Sequence, residues 1–321
     1  MSSAFVFPGQ GSQSVGMLRD LATRFSCVRD TFAEASAALG YDLWVLVQEG
    51  PEERLNATER TQPAMLAAGV AVWRAWQEAG GHAPSVVSGH SLGEFTALVC
   101  ADALEFVVGV DLVRFRGQVM QEAVPLGTGA MAAILGLEDE AVIAACREAA
   151  QGAVVEPVNF NAPGQIVVAG EAAAVGRVVE AAKARGAKRA LLLPVSVPSH
   201  SSLMQGAAAC FGERLAQIAL RTPRIEYVSA VDAKTHETPD NIRELLVRQL
   251  ASPVRWTDTT RALLTRHVDS VIECGPGKVL TGLNRQIERR SGQRSNVQYF
   301  ALEDAASLQE AIAAEKGTPG A

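Results

Sequence analysis

The stretch SVVSGHSLGEFTALVC, residues 85–100, decides the fold. Its first part, residues 85–88, is short and apolar and is typical of a buried strand, whereas residues 94–100 have the composition of a helix. The Gly-x-Ser-x-Gly segment between them is the pattern of a nucleophile elbow, a sharp turn that projects a serine Oγ out of the chain. We therefore expect a strand–turn–helix unit carrying a nucleophilic Ser91, with an ordinary glycine-rich turn as the alternative.

The composition of the whole chain narrows the function classes. The 321 residues carry 29 Lys and Arg against 35 Asp and Glu, a formal net charge of −6, so the net basicity of many nucleic-acid-binding proteins is absent. Apolar runs stay short of the ~18 residues of a membrane span, and the N-terminus lacks the pattern of a signal peptide. Five scattered cysteines without a Cys-x-x-Cys pair argue against a disulfide framework or a zinc cluster. We therefore predict a cytoplasmic protein without a metal site that binds neither nucleic acid nor membranes.

A smaller unit is predicted in the middle of the chain. Few aromatic residues (5%) and abundant Ala, Val and Leu are typical of helices packed on a parallel sheet. Between about 125 and 197 the order of predicted elements is instead β-α-β-β-α-β, the ferredoxin-like pattern. We expect an α/β core made of residues 1–124 and 198–314, an inserted subdomain at 125–197, and a flexible tail at 315–321.

A serine hydroxyl needs a base, and five histidines are available, at positions 82, 90, 200, 236 and 267. His90 adjoins Ser91, but neighbouring side chains on a sharp turn diverge, so His90 is expected to pack or orient. His200 follows an apolar strand and precedes a predicted helix at 201–220, and such strand ends collect the sites of α/β proteins. His200 is therefore the favoured base, whereas His236 and His267 are expected at the surface.

Two further features suggest binding groups. The amide of Leu92 at the start of a helix is free to stabilise an oxyanion, and the turn around Gln10 either offers a second amide or is a plain turn. Arg116 lies on an apolar face of the helix predicted at 106–124. A buried guanidinium needs an anion, which is either a structural carboxylate or the carboxylate of a substrate.

Taken together, these motifs resemble the malonyl-CoA:acyl carrier protein transacylases of fatty-acid synthesis. Each motif alone is modest, but their order and spacing through most of the chain are highly specific. The shared segments are Phe7-Pro-Gly-Gln-Gly11, Thr61-Gln-Pro63, Gly89-His-Ser-Leu-Gly-Glu94, Arg116-Gly-Gln-Val-Met-Gln-Glu122, Gly127-Thr-Gly-Ala-Met131, Asn159-Phe-Asn-Ala-Pro-Gly164, Val197-Pro-Ser-His200, Arg248-Gln-Leu250 and Gly275-Pro-Gly-Lys278.

The resemblance implies a fold and a role for each site residue. The fold would be a hydrolase-like α/β core with a parallel central sheet plus the inserted ferredoxin-like subdomain. Ser91 would be the acylated nucleophile, His200 its base, and the main-chain carbonyl of Gln249 the group that orients the histidine. The remaining implied residues are the oxyanion-hole amides of Gln10 and Leu92, Arg116 for the malonyl carboxylate, and Gln62 and His90 at the substrate site.

The implied activity is transfer of a malonyl group from malonyl-CoA to the phosphopantetheine thiol of acyl carrier protein, with ping-pong kinetics and no metal or bound cofactor. Because such carrier proteins are acidic and this chain is itself negative, docking is expected to use a local basic patch. Two basic groups are candidates, and a solvated charged face is the alternative for both. They are Lys183, Arg185, Lys188 and Arg189 in the subdomain, and Lys278, Arg285, Arg289 and Arg290 in the core.

Two other functions stay open at this point. A serine esterase or thioesterase of the α/β-hydrolase type shares the elbow but takes an acid and a late histidine, for which Asp258 and His267 are candidates. A non-catalytic module that docks carrier proteins is the second.

Overall fold

The computed structural model describes residues 2–195, 197–292 and 296–317, and these contain nine strands in two sheets. The strands are β1 (Ser3–Phe7), β2 (Val86–Gly89), β3 (Gly129–Leu135), β4 (Val155–Ala162), β5 (Gln165–Glu171), β6 (Arg189–Leu192), β7 (Glu226–Val228), β8 (Ser270–Glu273) and β9 (Gln298–Ala301). The larger sheet has the order β7-β2-β1-β8-β9 and is parallel throughout. The predicted α/β core with a parallel central sheet is therefore confirmed.

Fourteen α-helices are found in the described part of the chain. They are α1 (Arg19–Arg24), α2 (Ser26–Leu39), α3 (Leu43–Glu49), α4 (Glu52–Leu55), α5 (Thr58–Glu78), α6 (Gly93–Cys100), α7 (Phe106–Glu122), α8 (Asp139–Ala150), α9 (Ala172–Ala184), α10 (Gln205–Leu215), α11 (Pro239–Arg248), α12 (Trp256–Leu264), α13 (Val279–Ser291) and α14 (Ala305–Glu315), with short 3₁₀ turns at Ser202–Met204 and Gln249–Ala251. None of the helices in this part of the chain combines the length and the apolar character needed to span a membrane.

Helices cover both faces of the parallel sheet because side chains of the central strand alternate between two cores. Phe5 and Phe7 of β1 belong to the core built with α2, α5, α6 and α7. Ala4 and Val6 belong to a second core with Trp256 of α12 and with α13. All five residues of β1 are buried, as expected of a central strand in a doubly covered sheet.

The smaller sheet is antiparallel, with the order β4-β5-β3-β6, and α8 and α9 pack on it around a separate apolar core. Its elements follow the predicted β-α-β-β-α-β order. The sheet joins the rest of the protein through β4, where Phe160 N donates to Val254 O (2.9 Å) and Val254 N donates to Val158 O (2.9 Å). We propose that residues 125–197 form the subdomain and that 1–124 with 198–314 form the core.

The structure corrects several predicted element bounds. The segment Thr61-Gln-Pro63, where the sequence predicts the start of a helix, lies inside α5, which begins at Thr58 because the Ala57 carbonyl already accepts from the amides of Arg60 and Thr61. Pro63 therefore lies inside the helix. The helix predicted at 201–220 is a 3₁₀ turn followed by α10, which ends at Leu215, where Arg243 donates to the carbonyls of Leu215 and Ile218.

The C-terminal end also differs from the prediction. Helix α14 runs to Glu315, the first residue of the predicted tail, and Glu315 is buried. Residues 318–321 of that tail lie outside the described residues.

Candidate active site

The turn between β2 and α6 holds Ser91 in a strained conformation. Ser91 has φ 53°, in the left-handed region that residues other than glycine seldom occupy. A Cβ on Gly89 would lie 1.9 Å from Gly93 C, and one on Gly93 would lie 2.0 Å from Phe7 O. Both glycines are therefore required by the close passage of the backbone, as in a nucleophile elbow.

His200 lies within hydrogen-bond distance of the elbow serine. Ser91 Oγ is 2.8 Å from His200 Nε2, and His200 Nδ1 is 2.7 Å from the main-chain oxygen of Gln249. A carbonyl oxygen only accepts, so the proton of the neutral imidazole resides on Nδ1 and Nε2 is free to accept from the serine hydroxyl. This is the arrangement of a nucleophile and base, with a carbonyl in the place of a triad carboxylate.

The surroundings of His200 favour its neutral form. The side chain is buried, and burial, followed by the charge of Arg116, lowers its pKa to about 3. The imidazole is therefore unprotonated at neutral pH, which a general base requires.

Arg116 points into the same site from α7. It is 1% exposed, and its Nη1 donates to Gln62 Oε1 (2.9 Å) while Nη2 donates to Gln249 Oε1 (2.9 Å) and Ser91 Oγ (3.3 Å). Burial lowers its pKa to about 10, so the guanidinium stays charged at neutral pH. Sequence reasoning placed this residue on an apolar helix face, and the structure buries it beside the nucleophile.

No carboxylate in the described part of the chain forms an ion pair with Arg116. Its Nε, also buried, has no hydrogen-bond partner there. The structural-carboxylate alternative thus lacks a direct partner. A buried cation that is bound by neutral side-chain amides and keeps one N–H donor without an acceptor is suited to an anionic ligand.

The two amides implied for the oxyanion hole lie at adjacent turns. Leu92 precedes the first residue of α6, and neither its amide nor that of Gln10 has an acceptor among the described residues. The turn containing Gln10 packs on the elbow, since a Cβ on Gly9 would lie 2.5 Å from His90 O. Both residues line the same cavity as Ser91.

The His90 imidazole contacts Asn161 and Trp256. Its Nε2 lies 2.8 Å from Asn161 Oδ1 and its ring centroid lies 5.5 Å from that of Trp256. Burial lowers its pKa. His90 links the elbow to the smaller sheet and contributes to the cavity wall.

A cavity of about 420 Å³ opens onto Ser91 between the core and the smaller sheet. Its wall combines polar groups with apolar side chains from both parts of the molecule. The lining residues are Gln10, Gly11, Gln13, Glu52, Asn56, His90, Ser91, Leu92, Arg116, Met120, Met131, Asn159, Leu193, Pro194, Val195, Val197, Ser199 and His200.

The structure does not bring the alternative acid–histidine pair to the elbow. Asp258 is bound by Arg255 (2.7 Å), His267 is exposed, and neither residue lines the cavity. His236 is half-buried rather than exposed, with its Nε2 3.0 Å from Asp232 Oδ2.

Sequence reasoning missed the Glu94 carboxylate and the side chain of Gln249. Glu94 is fully buried in the first turn of α6, and the Gln249 side chain bridges Arg116 and Ser91 O. One signal for Glu94 was present, because a lone acidic residue in the otherwise apolar segment 94–100 indicates a buried carboxylate.

Comparison with known proteins decides the family. The model of the acyl transferase domain family matches residues 4–300. The chain belongs to this family. Among curated relatives, the malonyl CoA-acyl carrier protein transacylase of Escherichia coli is 57% identical over 88% of this chain and 92% of the relative. The malonyl CoA-acyl carrier protein transacylase of Haemophilus influenzae is 53% identical over 95% of this chain and 96% of the relative.

Solved structures of the family share the whole fold. The malonyl-transacylase solved in complex with its type II PKS acyl-carrier protein matches with a TM-score of 0.94 and 54% identity, over 97% of this chain and 99% of that one. An acyl carrier protein S-malonyltransferase from Vibrio cholerae matches with a TM-score of 0.92 and 54% identity, over 97% and 100%. The acyl transferase fold, with its parallel and antiparallel sheets, therefore extends over nearly the full chain.

Proposed function

We propose that this chain transfers malonyl groups from malonyl-CoA to the phosphopantetheine thiol of acyl carrier protein through an ester on Ser91. The observation that carries the proposal is that Ser91 Oγ lies 2.8 Å from the Nε2 of His200 and 3.3 Å from the Nη2 of Arg116. The proposed nucleophile thus lies within hydrogen-bond distance of both a base and a cation that is able to bind a carboxylate. The family and the names of its characterised relatives support the substrates.

Acylation begins when His200 accepts the proton of Ser91. The serine oxygen forms a bond to the thioester carbon, and the negative charge on the carbonyl oxygen is met by the amides of Leu92 and Gln10. One such donor contributes about 3–4 kcal/mol to the transition state. When the C–S bond breaks, His200 returns the proton to the sulfur of coenzyme A, which leaves as the thiol.

Transfer to the acceptor reverses the same chemistry. The phosphopantetheine thiol gives its proton to His200 and attacks the malonyl ester, and the bond between the acyl carbon and Ser91 Oγ then breaks. His200 returns the proton to the serine. Two half-reactions through one covalent intermediate give ping-pong kinetics.

Arg116 supplies the specificity for a carboxylated acyl group. A substrate carboxylate compensates the positive charge of the buried guanidinium, whereas an acetyl group brings no negative charge to it. Gln62 and Gln249 hold the guanidinium from two sides with their amide oxygens. His90 is proposed to support the substrate site through the wall it forms with Asn161.

The proposed steps use side chains and main-chain amides alone, so we infer that no metal or cofactor takes part. We place the reaction in the cytoplasm, because the five cysteines are all free, as is usual in a reducing compartment.

The acceptor partner is acyl carrier protein, and each of the two basic groups keeps two cations that are free to contact it. Lys183 and Arg185 pair with Glu180 and Glu148. Lys278 pairs with Glu303, and Arg285 donates to the Tyr299 carbonyl. Lys188 and Arg189, beside and on the edge strand β6, and Arg289 and Arg290, in the last turn of α13, are exposed and form no ion pair with the described residues.

The test is a transfer assay with malonyl-CoA, with and without phosphopantetheinylated acyl carrier protein. We expect rapid malonylation of the carrier thiol and little free malonate when the carrier is omitted. Rapid release of malonate regardless of acceptor would instead favour a thioesterase. Binding of the carrier without any turnover would favour a docking module.

A further inference from the structure

The carboxylate of Glu94 is a buried group beside the nucleophile that the transfer steps leave unused. It lies in the first turn of α6, three residues after Ser91, and has no exposed surface. Its Oε2 accepts from Tyr227 Oη and from Ser229 Oγ (3.1 Å), and its Oε1 accepts from the amide of Ala230 (3.1 Å). These donors, all at the end of β7, fix the carboxylate beneath the elbow.

The side-chain amide of Gln249 also lies close to Glu94, where it lowers the pKa of the carboxylate against the larger effect of burial. Gln249 in turn touches all three groups of the proposed reaction. Its Oε1 accepts from Arg116 Nη2 (2.9 Å), its Nε2 donates to Ser91 O (3.0 Å), and its main-chain oxygen accepts from His200 Nδ1 (2.7 Å).

The chemistry of the two side chains determines which way the Gln249 amide points. An ionised carboxylate, like the Ser91 carbonyl, only accepts hydrogen bonds, so both favour the Nε2 side of the amide and leave Oε1 for the guanidinium of Arg116. A protonated carboxyl loses the charge that attracts Nε2 and presents a donor of its own. The amide then keeps its contacts with Ser91 O and Arg116 but loses the support of the carboxylate.

Charge couples the same residues. Burial lowers the pKa of Arg116, which has no ion pair in the described chain, and the negative charge of Glu94 opposes that shift. Tyr227 is the other titratable side chain that faces Glu94, from β7, and burial raises its pKa well above the usual range, so it stays a neutral donor. Ionised Glu94 therefore offsets part of the buried positive charge, and the substrate carboxylate would compensate the rest.

We propose that Glu94 is a positioning residue for the transfer reaction, which holds the Gln249 amide and through it Arg116 and His200. This inference rests on the proposed function. Glu94 touches neither substrate nor reacting atoms and acts through the residues that do.

The proposal predicts how transfer activity depends on pH. Burial raises the pKa of Glu94 to about 7, against the hydrogen bonds from Tyr227 and Gln249, which lower it. If the ionised form is needed, activity is present above about pH 7 and is lost as the pH falls. His200, with its pKa lowered to about 3, remains neutral through that range and cannot produce this loss.

The experiment measures kcat/KM for malonyl-CoA from about pH 5 to 9, which reports groups of the free enzyme. The variant is Glu94→Gln, and the matched control is Glu273→Gln. Glu273 is also fully buried with a pKa raised by burial to about 7, but it accepts from the amides of Leu280 and Thr281 at the start of α13, away from the site.

We expect wild type and E273Q to lose activity below about pH 7, and E94Q to lack this acid limb. In metal sites, mutating a residue that hydrogen-bonds to a ligand typically lowers affinity or activity about 10- to 100-fold. Glu94 likewise acts through the residues of the site, so we expect E94Q to lower kcat/KM by a similar factor at pH 8. A wild-type profile without the limb, an E94Q limb at the wild-type midpoint, or a loss no larger than that of E273Q would overturn the proposal.

A second variant decides the matter if E94Q does not fold. Tyr227→Phe removes a donor that lowers the pKa of Glu94, so the acid limb is expected to move to higher pH. A limb that stays in place or moves down would overturn the proposal. Wild-type protein that transfers no malonyl at any pH would contradict the proposed function itself.

Discussion

At the residue scale, we propose that the buried guanidinium of Arg116 decides which acyl group the site retains. Its hydrogen-bond partners are the amide oxygens of Gln62 and Gln249 and the hydroxyl of Ser91, which are neutral groups. Neutral dipoles satisfy donors but leave the buried charge only partly compensated. A carboxylate arriving with the substrate therefore gains more here than at a solvated arginine.

Arg116→Ala is expected to erase the preference for malonyl-CoA over acetyl-CoA. Losing one partner of a buried charged pair costs about 3–5 kcal/mol, so kcat/KM for malonyl-CoA should fall by roughly 100-fold or more while that for acetyl-CoA changes little. The measurement is kcat/KM for both thioesters.

Arg114→Ala is the control on the same helix, since Arg114 pairs with Asp111 (2.7 Å) outside the cavity. It should keep the wild-type preference. An unchanged preference in R116A would return Arg116 to a structural role.

At the scale of elements, the strand–turn–helix around Ser91 was predictable because its geometry is local. Glycines at 89 and 93 and the apolar segments beside them determine the turn without help from distant residues. The helices and strands after Lys278 were not predicted, although Leu280, Leu283 and Ile287 lie at helical spacing in α13. Strand β9 has only four residues and sits at the sheet edge, so its pattern is too short to stand out.

The residues of the candidate site likewise differ in whether the local sequence predicts them. Motifs and helical periodicity point to Ser91, His200 and Arg116 one by one. The contact between Glu94 and the Gln249 side chain depends on how α6 and the 3₁₀ turn at Gln249–Ala251 meet in the folded chain. The spacing of residues within each segment of the sequence does not show that these two elements pack together.

Gly93→Ala tests the elbow as an element. A Cβ there would lie 2.0 Å from Phe7 O, so the backbone of β1 or of the turn has to move. We expect the free energy of unfolding to fall by about 1–3 kcal/mol and transfer activity to fall with it. The measurement is chemical denaturation together with the transfer assay.

Gly176→Ala is the matched control, because nothing lies within 4 Å of a Cβ at that position in α9. It should leave activity unchanged and raise stability by about 0.5–1 kcal/mol. Wild-type stability and activity in G93A would contradict the steric account of the turn.

At the scale of the whole molecule, the cavity exists because two separately built sheets meet. The parallel sheet supplies the elbow at the end of β2, and the antiparallel sheet supplies Met131 and Asn159 to the wall. Main-chain hydrogen bonds between β4 and Val254 hold the two together. In the proposed reaction the small sheet covers the ester, while the nucleophile and its base both come from the larger part.

The most direct test of this account is the mass of the peptide containing Ser91 after brief exposure to malonyl-CoA and rapid quenching. We predict a malonyl adduct on Ser91 in wild type and in the surface control His267→Ala. In His200→Ala the adduct should form about 10²- to 10⁴-fold more slowly, because the base is gone. An unmodified Ser91 in protein that turns over at full rate, an adduct on another residue, or wild-type adduct formation in H200A would contradict it.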